Sequence, residues 1–369
     1  MRIGIDASRA NRVQKTGVEW YAWHIIQEFK TIIPPSTEVV LYSAAPLVGS
    51  LADLPPHWQS KVLSWPPRLL WTHFRLSWEM LWHAPDLLFV PAHVGPIGSP
   101  RRLAVTIHDV AFMAMPQAYS RQGKFYLNFF NTLDSWRAKA IITISEYSKK
   151  DIEKFYPRAR GKIAVVPLAY DAAHYRVLDE PEKTRTILNR YGIRQPFFLS
   201  VSRLEVKKNT DGMIRAFAAA ALPDYQLVLV GKPGRWYNQV EAALRQSQVQ
   251  DSIIMPGWVA EADVPYLMNA ATAFVFPSWY EGFGIPILEA MACGCPVITA
   301  STTACPEVAG GAALLVDPAA DSALSRALQQ IAADPVYAGQ LRAKGLARAA
   351  QFSWRQTAER TWQVLQQAV

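Results

Sequence analysis

Two glutamates and two glycines lie close together in residues 273–301, and their types suit a sugar that carries a phosphate. Gly282 and Gly284 precede a helical pattern, and the unpaired N–H groups at a helix start favour a negatively charged ligand. Glu281 and Glu289, with seven residues between them, supply carboxylates that accept hydrogen bonds from sugar hydroxyls. We therefore predict that both glutamates face one crevice together with the free amides. The alternative is a plain turn with solvated glutamates.

The elements that position this stretch can be read from its pattern. The apolar run 273–276 predicts a buried strand. Residues 285–293 predict a helix with Pro286 in its first turn, where the missing N–H costs nothing. Gly294 ends that helix, and residues 296–299 begin the next strand. The glycine turn thus lies between a strand and the helix that follows it.

A second group of polar residues follows the predicted strand 197–200. Arg203 lies just after the strand, and Lys208 follows five residues later at the start of a helix. Both can lean over the carboxyl end of a parallel sheet, where ligands of such folds bind, and both can pair with phosphate oxygens. Lys207 is the competing lysine, and the alternative for the whole group is a solvated basic surface.

The first half of the chain offers a glycine and a histidine at equivalent places. Gly17 closes the loop after the predicted strand 2–6, directly before a helix. His108 and Asp109 follow the predicted strand 103–107, a position that suits a base and the group that orients it. Adjacent residues point apart, however, so Asp109 is not expected to hold His108. The alternatives are a plain turn at Gly17 and a histidine satisfied within a turn.

Strand patterns alternate with amphipathic helical patterns along the whole chain, which predicts an α/β fold with two doubly wound parallel sheets. We place the domains at 1–178 and 186–351, separated by a polar, proline-containing linker at 178–185. Two such domains predict a cleft that binds ligands at the carboxyl ends of both sheets. The predicted strands are 2–6, 39–43, 87–90, 103–107, 140–144 and 163–167 in the first domain, and 197–200, 226–231, 252–255, 273–276 and 296–299 in the second.

The stretch Glu281-Gly282-Phe283-Gly284, followed by Pro286, Glu289 and Gly294, resembles the Glu-x7-Glu signature of glycosyltransferase family 4. Members of that family are retaining sugar-nucleotide transferases of the GT-B fold. The resemblance implies two Rossmann-like domains that face an interdomain cleft. It also implies that the last helix, 352–369, packs back on the N-terminal domain. In this family Glu281 would hold the donor sugar and Glu289 the ribose hydroxyls, with Gly282, Phe283 and Gly284 beside the donor.

The resemblance extends to residues outside that signature. Arg203 and Lys208 match the arginine and lysine with which the family binds the donor phosphates. His108 matches a histidine that approaches the transferred sugar, and Gly17 would lie beneath the donor phosphates or near the acceptor. Val259 is expected to meet the nucleotide base through its backbone.

A serine-rich segment also resembles the family. Ser145-Glu146-Tyr147-Ser148 matches a Ser-Glu-x-Ser segment. We interpret Ser145 as lining the cleft near the donor and Ser148 as the N-cap of a helix at 149–155.

The chain contains no Asp-x-Asp sequence, so a diphosphate clamped by a metal is not expected. We expect no cofactor apart from the nucleoside diphosphate sugar, which is a co-substrate. The leaving diphosphate would instead be stabilised by cationic side chains and a helix N-terminus. The resemblance implies transfer of a hexose, mannose above all, from a GDP- or UDP-linked donor to a glycan or lipid-linked saccharide. Two alternatives stay open, a GT-B nucleotide-sugar epimerase and a catalytically silent nucleotide-sugar-binding subunit.

The amino-acid composition is typical of a folded protein, and the charged residues are unevenly distributed along the chain. The chain has 369 residues, of which 50% are hydrophobic and 18% charged, with a net charge of +8. Residues 1–185 hold 23 Lys and Arg against 16 Asp and Glu, whereas residues 186–369 hold 15 against 14. No nucleic-acid-binding module accompanies this excess, so we expect no nucleic acid partner. An anionic membrane or an anionic lipid-linked acceptor explains it, and charge for solubility is the alternative.

The cysteines and the first residues of the chain indicate the cellular compartment of the protein. The start of the chain has Asp6 within it and does not read as a signal peptide. Cys293, Cys295 and Cys305 form an odd, clustered set without metal-ligand spacing, which predicts buried reduced thiols. We therefore expect a cytoplasmic protein, at the inner face of a membrane if the basic half binds lipid.

Segment 57–85 is rich in tryptophan. Trp71, Trp78 and Trp82 are spaced by seven and four residues, which predicts that they share one face of a helix. That face is either core or an interfacial surface at the depth of lipid headgroups. The segment also contains Trp58, Trp65, Lys61, Arg68 and Arg75.

Overall fold

The computed structural model describes residues 1–65, 70–92 and 94–369. The chain forms two compact units. Unit 1 combines Met1–Leu168 with Trp354–Val369, and unit 2 is Ala169–Ser353.

Unit 1 is built on a seven-stranded parallel sheet. Its strand order is β3-β2-β1-β4-β5-β6-β7, and β1 pairs with β2 on one side and β4 on the other. The central strands are fully buried apolar runs, as expected where helices cover both faces of a sheet. The strands are β1 Arg2–Asp6, β2 Glu38–Ser43, β3 Trp58–Val62, β4 Leu87–Val90, β5 Leu103–Thr106, β6 Ala140–Thr143 and β7 Ile163–Val165.

Five α-helices among the described residues of unit 1 connect these strands. The sheet and helices share a core in which Tyr42, Leu88, Val105 and Ile141 are fully buried. The helices are α1 Gly17–Ile32, α2 Ser77–Trp82, α3 Ala111–Ala114, α4 Arg121–Arg137 and α5 Glu146–Phe155.

Unit 2 repeats the architecture with six parallel strands in the order β10-β9-β8-β11-β12-β13. The order reverses at β8, whose neighbours are β9 and β11. In such sheets the reversal leaves a crevice outside the carboxyl ends of the strands. The strands are β8 Phe197–Val201, β9 Gln226–Val230, β10 Ile253–Gly257, β11 Ala273–Phe276, β12 Val297–Ala300 and β13 Leu314–Val316.

Eight helices belong to unit 2. The predicted linker at 178–185 is wrong, because α6 begins there at Pro181, a residue well suited to the first turn of a helix. The helices are α6 Pro181–Arg190, α7 Thr210–Ala220, α8 Tyr237–Gln246, α9 Val264–Ala270, α10 Ile285–Ala292, α11 Cys305–Ala309, α12 Asp321–Ala333 and α13 Pro335–Ala349.

The last helix, α14 (Trp354–Ala368), belongs to unit 1 although it follows unit 2 in the chain. It packs on α1 through aromatic contacts. Trp354 stacks on His24 with ring centroids 4.4 Å apart, and Trp362 meets Phe29 at 6.2 Å.

The tryptophans of segment 57–85 divide between core and surface. Trp58 and Trp71 are buried, and the Trp71 indole donates a hydrogen bond to the carbonyl of Leu63. Trp78 and Trp82 are exposed. The prediction that Trp71 shares their face is therefore wrong. A π-helical turn at Thr72–Leu76 precedes α2 and shifts the helical phase between them. Arg68 lies outside the described residues.

The described helices include none that combines the length and the apolar character needed to cross a bilayer. The three cysteines are free and buried, as predicted.

Candidate active site

The turn between β11 and α10 forms as the sequence predicts. Gly284 adopts a φ of 104° at the N-cap of α10, and Pro286 lies in the first turn. A Cβ added at Gly284 would lie 3.0 Å from Cδ1 of Ile287. The left-handed backbone favours glycine here, and a Cβ would in addition displace the end of the Ile287 side chain.

Glu281 pairs with Lys208 in this turn. Nζ of Lys208 lies 2.5 Å from Oε1 of Glu281, and both side chains are largely buried. Lys208 also stands 5.0 Å from the centroid of the Phe276 ring, at the end of β11. The backbone N–H of Glu281 donates to Oγ1 of Thr303 at 3.3 Å. The structure therefore fixes one carboxylate oxygen of Glu281 on a cation.

Lys207 points elsewhere. Its Nζ lies 5.7 Å from the centroid of the Tyr280 ring, and its carbonyl accepts a hydrogen bond from the N–H of Trp279. Of the two candidate lysines, Lys208 is the one that contacts Glu281.

Arg203 follows β8 and is exposed, and within the described ranges no carboxylate pairs with its guanidinium. The loop backbone is held by a close approach from β9. Gly231 has a φ of 148°, and a Cβ there would lie 1.7 Å from the carbonyl oxygen of Ser202. Only glycine can occupy that position, so Gly231 fixes the backbone immediately before Arg203.

Glu289 lies within α10 among other acidic residues. Burial raises its pKa to about 8, with further contributions from the carboxylates of Glu261 and Asp171. The same burial raises the pKa of the neighbouring Tyr175, with Glu289 as a second cause. Glu289 is therefore mostly a neutral carboxylic acid at pH 7. Glu281 and Glu289 thus have different surroundings, one a lysine and the other a group of acids.

Two other predicted donor residues have buried side chains. Phe283 packs its ring edge on Phe352, with centroids 6.1 Å apart. Val259 is buried after β10, next to the exposed Trp258. Gly282 lies buried between Glu281 and Phe283. For these residues, backbone contact with a ligand stays a prediction.

His108 is half-buried in unit 1. Burial lowers its pKa to about 4, so the ring is neutral at pH 7. Nε2 lies 3.2 Å from the carbonyl oxygen of Pro91. Because a carbonyl only accepts, Nε2 carries the proton and Nδ1 is left as an acceptor. The edge of the ring meets Tyr21 at 4.8 Å.

Gly17 is the first residue of α1, and a Cβ added there would meet nothing within 4 Å. Glu19 anchors the preceding loop, accepting hydrogen bonds from the N–H and the hydroxyl of Thr16 at 2.8 and 2.5 Å. It also pairs with Arg12 at 2.8 Å. Sequence reasoning missed this anchor, although a threonine followed three residues later by glutamate is the sign of a capping box.

Ser145 is the N-cap of α5, and its hydroxyl oxygen accepts the N–H of Ser148 at 3.0 Å. The prediction that Ser148 caps a helix at 149–155 is wrong, because the helix begins three residues earlier at Glu146. A role for Ser145 toward the donor would have to be combined with capping.

Within the described ranges, no three His, Cys, Asp or Glu side chains gather in a way that would hold a metal ion. Metal independence stays a prediction.

Two family models together match most of the chain. The model described as "Glycosyltransferase Family 4" matches residues 16–174, and the one described as "Glycosyl transferases group 1" matches residues 184–351. The first model covers most of Met1–Leu168, and the second lies within Ala169–Ser353.

Relatives and a solved structure agree with these matches. O-antigen chain mannosyltransferase B of Escherichia coli is 31% identical over 283 residues, which cover 75% of this chain and 71% of that protein. Serotype-specific mannosyltransferase WbdA of Escherichia coli is 28% identical over 268 residues, which cover 70% of this chain but only 32% of WbdA. The crystal structure of Anabaena Alr3699/HepE in complex with UDP and glucose matches with a TM-score of 0.75 at 19% identity, covering 100% of both chains. The predicted architecture of two Rossmann-like domains of GT-B type is confirmed.

Proposed function

Because the chain belongs to glycosyltransferase family 4, we propose that it moves mannose from a GDP- or UDP-linked donor to a hydroxyl of a glycan or lipid-linked saccharide. The names of its mannosyltransferase relatives support the sugar, and the UDP complex of HepE supports a nucleotide donor. The observation that carries the proposal is the Lys208–Glu281 ion pair beside the N-terminus of α10.

The donor diphosphate would be held by fixed positive charge. Arg203 is an exposed cation without a carboxylate partner among the described residues, and it follows the strand at which the sheet order reverses. Lys208 and the N-terminus of α10 add charge at the end of the adjacent strand β11. Lys208, which is held by Glu281, and the N-terminus of α10 are in place before the donor arrives. Together with Arg203 they would stabilise the leaving diphosphate without a metal.

The two glutamates would bind different parts of the donor. Oε1 of Glu281 is held by Lys208, and no described group donates a hydrogen bond to Oε2, which leaves that oxygen for a hydroxyl of the sugar. Glu289, neutral at pH 7 because its pKa is raised to about 8, can both donate to and accept from the ribose hydroxyls.

The proposed reaction retains configuration. The bond between the anomeric carbon and the diphosphate oxygen breaks, and the acceptor oxygen forms its bond on the same face of the sugar. The acceptor proton passes to the leaving phosphate oxygen, which has gained the electron pair of the broken bond. His108, neutral at pH 7, is proposed to contact the transferred sugar as a polar group rather than as a charged acid.

We further propose that the protein works in the cytoplasm at the inner face of an anionic membrane. Its three free, buried cysteines suit a reducing compartment. The excess of cationic residues in positions 1–185 suits a negatively charged surface.

The experiment that tests this function is donor turnover by Arg203→Ala. We expect the turnover number to fall by about 10²–10³, because one cationic hydrogen-bond donor to the leaving group is lost. The measurement is nucleoside diphosphate released from GDP-mannose or UDP-linked hexoses in the presence of a mannoside acceptor.

Arg194→Ala is the matched control, since Arg194 is exposed before the opposite, amino-terminal end of the same strand β8. It should turn over at the rate of the unmodified protein. A near-normal rate for Arg203→Ala would refute the phosphate role, and no transfer from any donor would refute the proposed function.

A further inference from the structure

Exposed aromatic side chains concentrate in one region of unit 1. Of the seven exposed Phe and Trp side chains in the described ranges, six lie on two helical segments, and the seventh is Trp258 in unit 2. Each of the six is between 52% and 74% exposed. We call them the aromatic face: Phe74, Trp78, Trp82, Phe125, Phe129 and Trp136.

On α4 the aromatic residues form the outward stripe of the helix. Phe125, Phe129 and Trp136 recur at helical spacing and are all exposed. The rings of Phe125 and Phe129 stack with centroids 6.4 Å apart. A helix on the surface of a soluble protein ordinarily turns such a stripe inward. With Arg158 these rings also line a shallow depression of about 300 Å³.

The second segment repeats the arrangement. Phe74, Trp78 and Trp82 follow one another at intervals of four residues along the π-helical turn and α2. The Trp78 and Trp82 rings lie 6.0 Å apart, and Leu81 beside them is also exposed. Two neighbouring helical segments thus present aromatic residues to solvent.

Contacts on their inner sides hold the two segments together. The ring of His73 stacks on Phe130 of α4 at 3.7 Å, and its Nε2 lies 2.7 Å from the hydroxyl of Tyr126. The segment Thr72–Leu76 and α4 therefore pack against each other through their inner sides. The hydrogen bond from the N–H of Gly98 to Oγ of Ser77 anchors the start of α2 to a separate loop.

Cationic residues border this region. The segment from Lys154 to Lys162 has four Lys or Arg residues and no acid. Nζ of Lys162 donates to the carbonyl of Trp136 at 2.7 Å, which places this segment directly beside α4. The only acid of α4, Asp134, is buried and paired with Arg137 at 2.7 Å. The exposed charge next to the aromatic face on this side is therefore positive.

We propose that the aromatic face lies in the headgroup layer of an anionic lipid bilayer. Trp and Phe are favourable at that depth, and long cationic side chains beside them can reach lipid phosphates. Each cation near an anionic membrane surface adds to the affinity. The aromatic rings thus give the bilayer apolar contact, and the segment 154–162 selects for negative lipids.

The positive charge beside the aromatic face favours an anionic bilayer over two other partners, a second copy of the chain and a neutral saccharide. A second copy of the chain would bring one cationic border against another, which disfavours self-association through the face. A neutral saccharide would stack on the rings but would leave the cations without a partner.

The inference rests on the proposed function in one respect, because a lipid-linked acceptor would give the contact a purpose. The binding itself is independent of catalysis and is measured without a donor sugar.

The test is co-sedimentation with vesicles of equimolar phosphatidylcholine and phosphatidylglycerol. We expect the full chain to bind these vesicles at least about tenfold more tightly than pure phosphatidylcholine vesicles. The double variants Trp78→Ser/Trp82→Ser and Phe125→Ser/Phe129→Ser should each lose about tenfold in affinity. Arg158→Glu/Arg160→Glu should lose as much, on the anionic vesicles alone.

Trp258→Ser is the matched control, being equally exposed but outside unit 1, and it should bind as the unmodified chain does. The variants change exposed side chains, so their melting temperatures should match that of the unmodified chain. If a double variant melts early, the charge-reversal variant still tests the proposal, because no ring is removed there.

Several results would overturn the proposal. One is a chain that does not sediment with anionic vesicles, and another is aromatic-face variants that bind as tightly as the Trp258→Ser control. If the unmodified chain is a dimer that the double variants convert to a monomer, the aromatic face is a protein interface. If the unmodified chain binds soluble mannan but no vesicles, and the double variants lose that binding, the aromatic face binds saccharide. If the chain transfers sugar from a nucleotide donor but does not bind vesicles, only this inference is refuted. If it binds vesicles but transfers no sugar, only the proposed function is refuted.

Discussion

At the scale of single residues, the ion pair between Lys208 and Glu281 joins the loop after β8 to the turn after β11. The two residues are far apart in the chain, and their approach depends on β8 and β11 being neighbours in the sheet. The ion pair has two consequences. It fixes one oxygen of Glu281, and it makes the carboxylate dependent on its lysine.

Replacing Lys208 by methionine should therefore affect more than the phosphate. Glu281 would remain largely buried without its cation, which is strongly unfavourable. We expect a lower melting temperature and a loss of turnover of about 10² or more. Calorimetry and donor turnover measure the two effects.

Lys207→Met is the control for that variant, since its ammonium contacts a ring and not a carboxylate. Equal losses in the two variants would contradict the assignment of Lys208 as the partner of Glu281.

The raised pKa of Glu289 predicts how stability changes with pH. Its pKa is about 8 in the folded protein against an ordinary value of 4.5. A raised folded pKa means that the contribution to the free energy of unfolding is full below pH 4.5 and is lost as pH rises through 8. The melting temperature should therefore fall by several degrees between pH 6 and pH 9, and Glu289→Gln should show a smaller fall.

Glu182→Gln is the control, because the Glu182 side chain is 80% exposed and should leave the pH dependence as it was. Identical pH dependence in Glu289→Gln and in the unmodified chain would contradict the burial of this carboxyl.

At the scale of elements, a substitution of Gly17 at the start of α1 is expected to affect stability and donor binding differently. No atom within 4 Å would meet a Cβ at this position, so the fold itself does not require glycine. Gly17→Ala should leave the melting temperature unchanged or raise it, by up to about 1 kcal/mol in the free energy of unfolding. If a phosphate approaches the start of α1, the KM for the donor should rise about tenfold or more.

Gly339→Ala in α13 is the matched control, since a Cβ there also meets nothing within 4 Å. It should raise stability without changing the KM. An unchanged donor KM in Gly17→Ala would remove Gly17 from the binding site.

Most strands with continuous apolar patterns were predictable, but the short apolar strand β13 (Leu314–Val316) was not predicted. The pattern predicts β4 and β11 with their observed bounds. It missed β3, whose residues Trp58–Val62 are mostly exposed and carry little apolar signal. It also missed α4, because the aromatic stripe of that helix faces outward and gives no ordinary amphipathic pattern.

The candidate site was predictable to a similar degree. Residue types at strand ends identified Arg203, Lys208 and Glu281, because parallel strands expose their carboxyl ends at one edge. The N-cap of α5 and the group of acids around Glu289 were missed. Both depend on helix boundaries and on contacts distant in sequence, which a local pattern does not contain.

At the scale of the whole molecule, α14 completes unit 1. Trp362 is buried against α1, so Trp362→Ala should lower the free energy of unfolding of unit 1 by about 3–5 kcal/mol. Hydrogen exchange should locate the loss of protection in residues 1–168 and leave unit 2 unchanged.

Trp258→Ala removes an exposed tryptophan and is the control, expected to change stability little. Loss of protection confined to unit 2 in Trp362→Ala would contradict the assignment of α14 to unit 1. The chain pattern predicted a terminal helix, but only the family resemblance indicated where it packs.

That discontinuous unit has a consequence for biosynthesis. The ribosome finishes Met1–Leu168 first and then makes all of Ala169–Ser353 before the segment that completes the first unit emerges. At about 5–20 residues per second, the nascent N-terminal portion waits about ten seconds or more with the docking surface for α14 uncovered. A chaperone that shields apolar surface on emerging chains should therefore engage this protein during translation and release it only after residue 368 has left the exit tunnel.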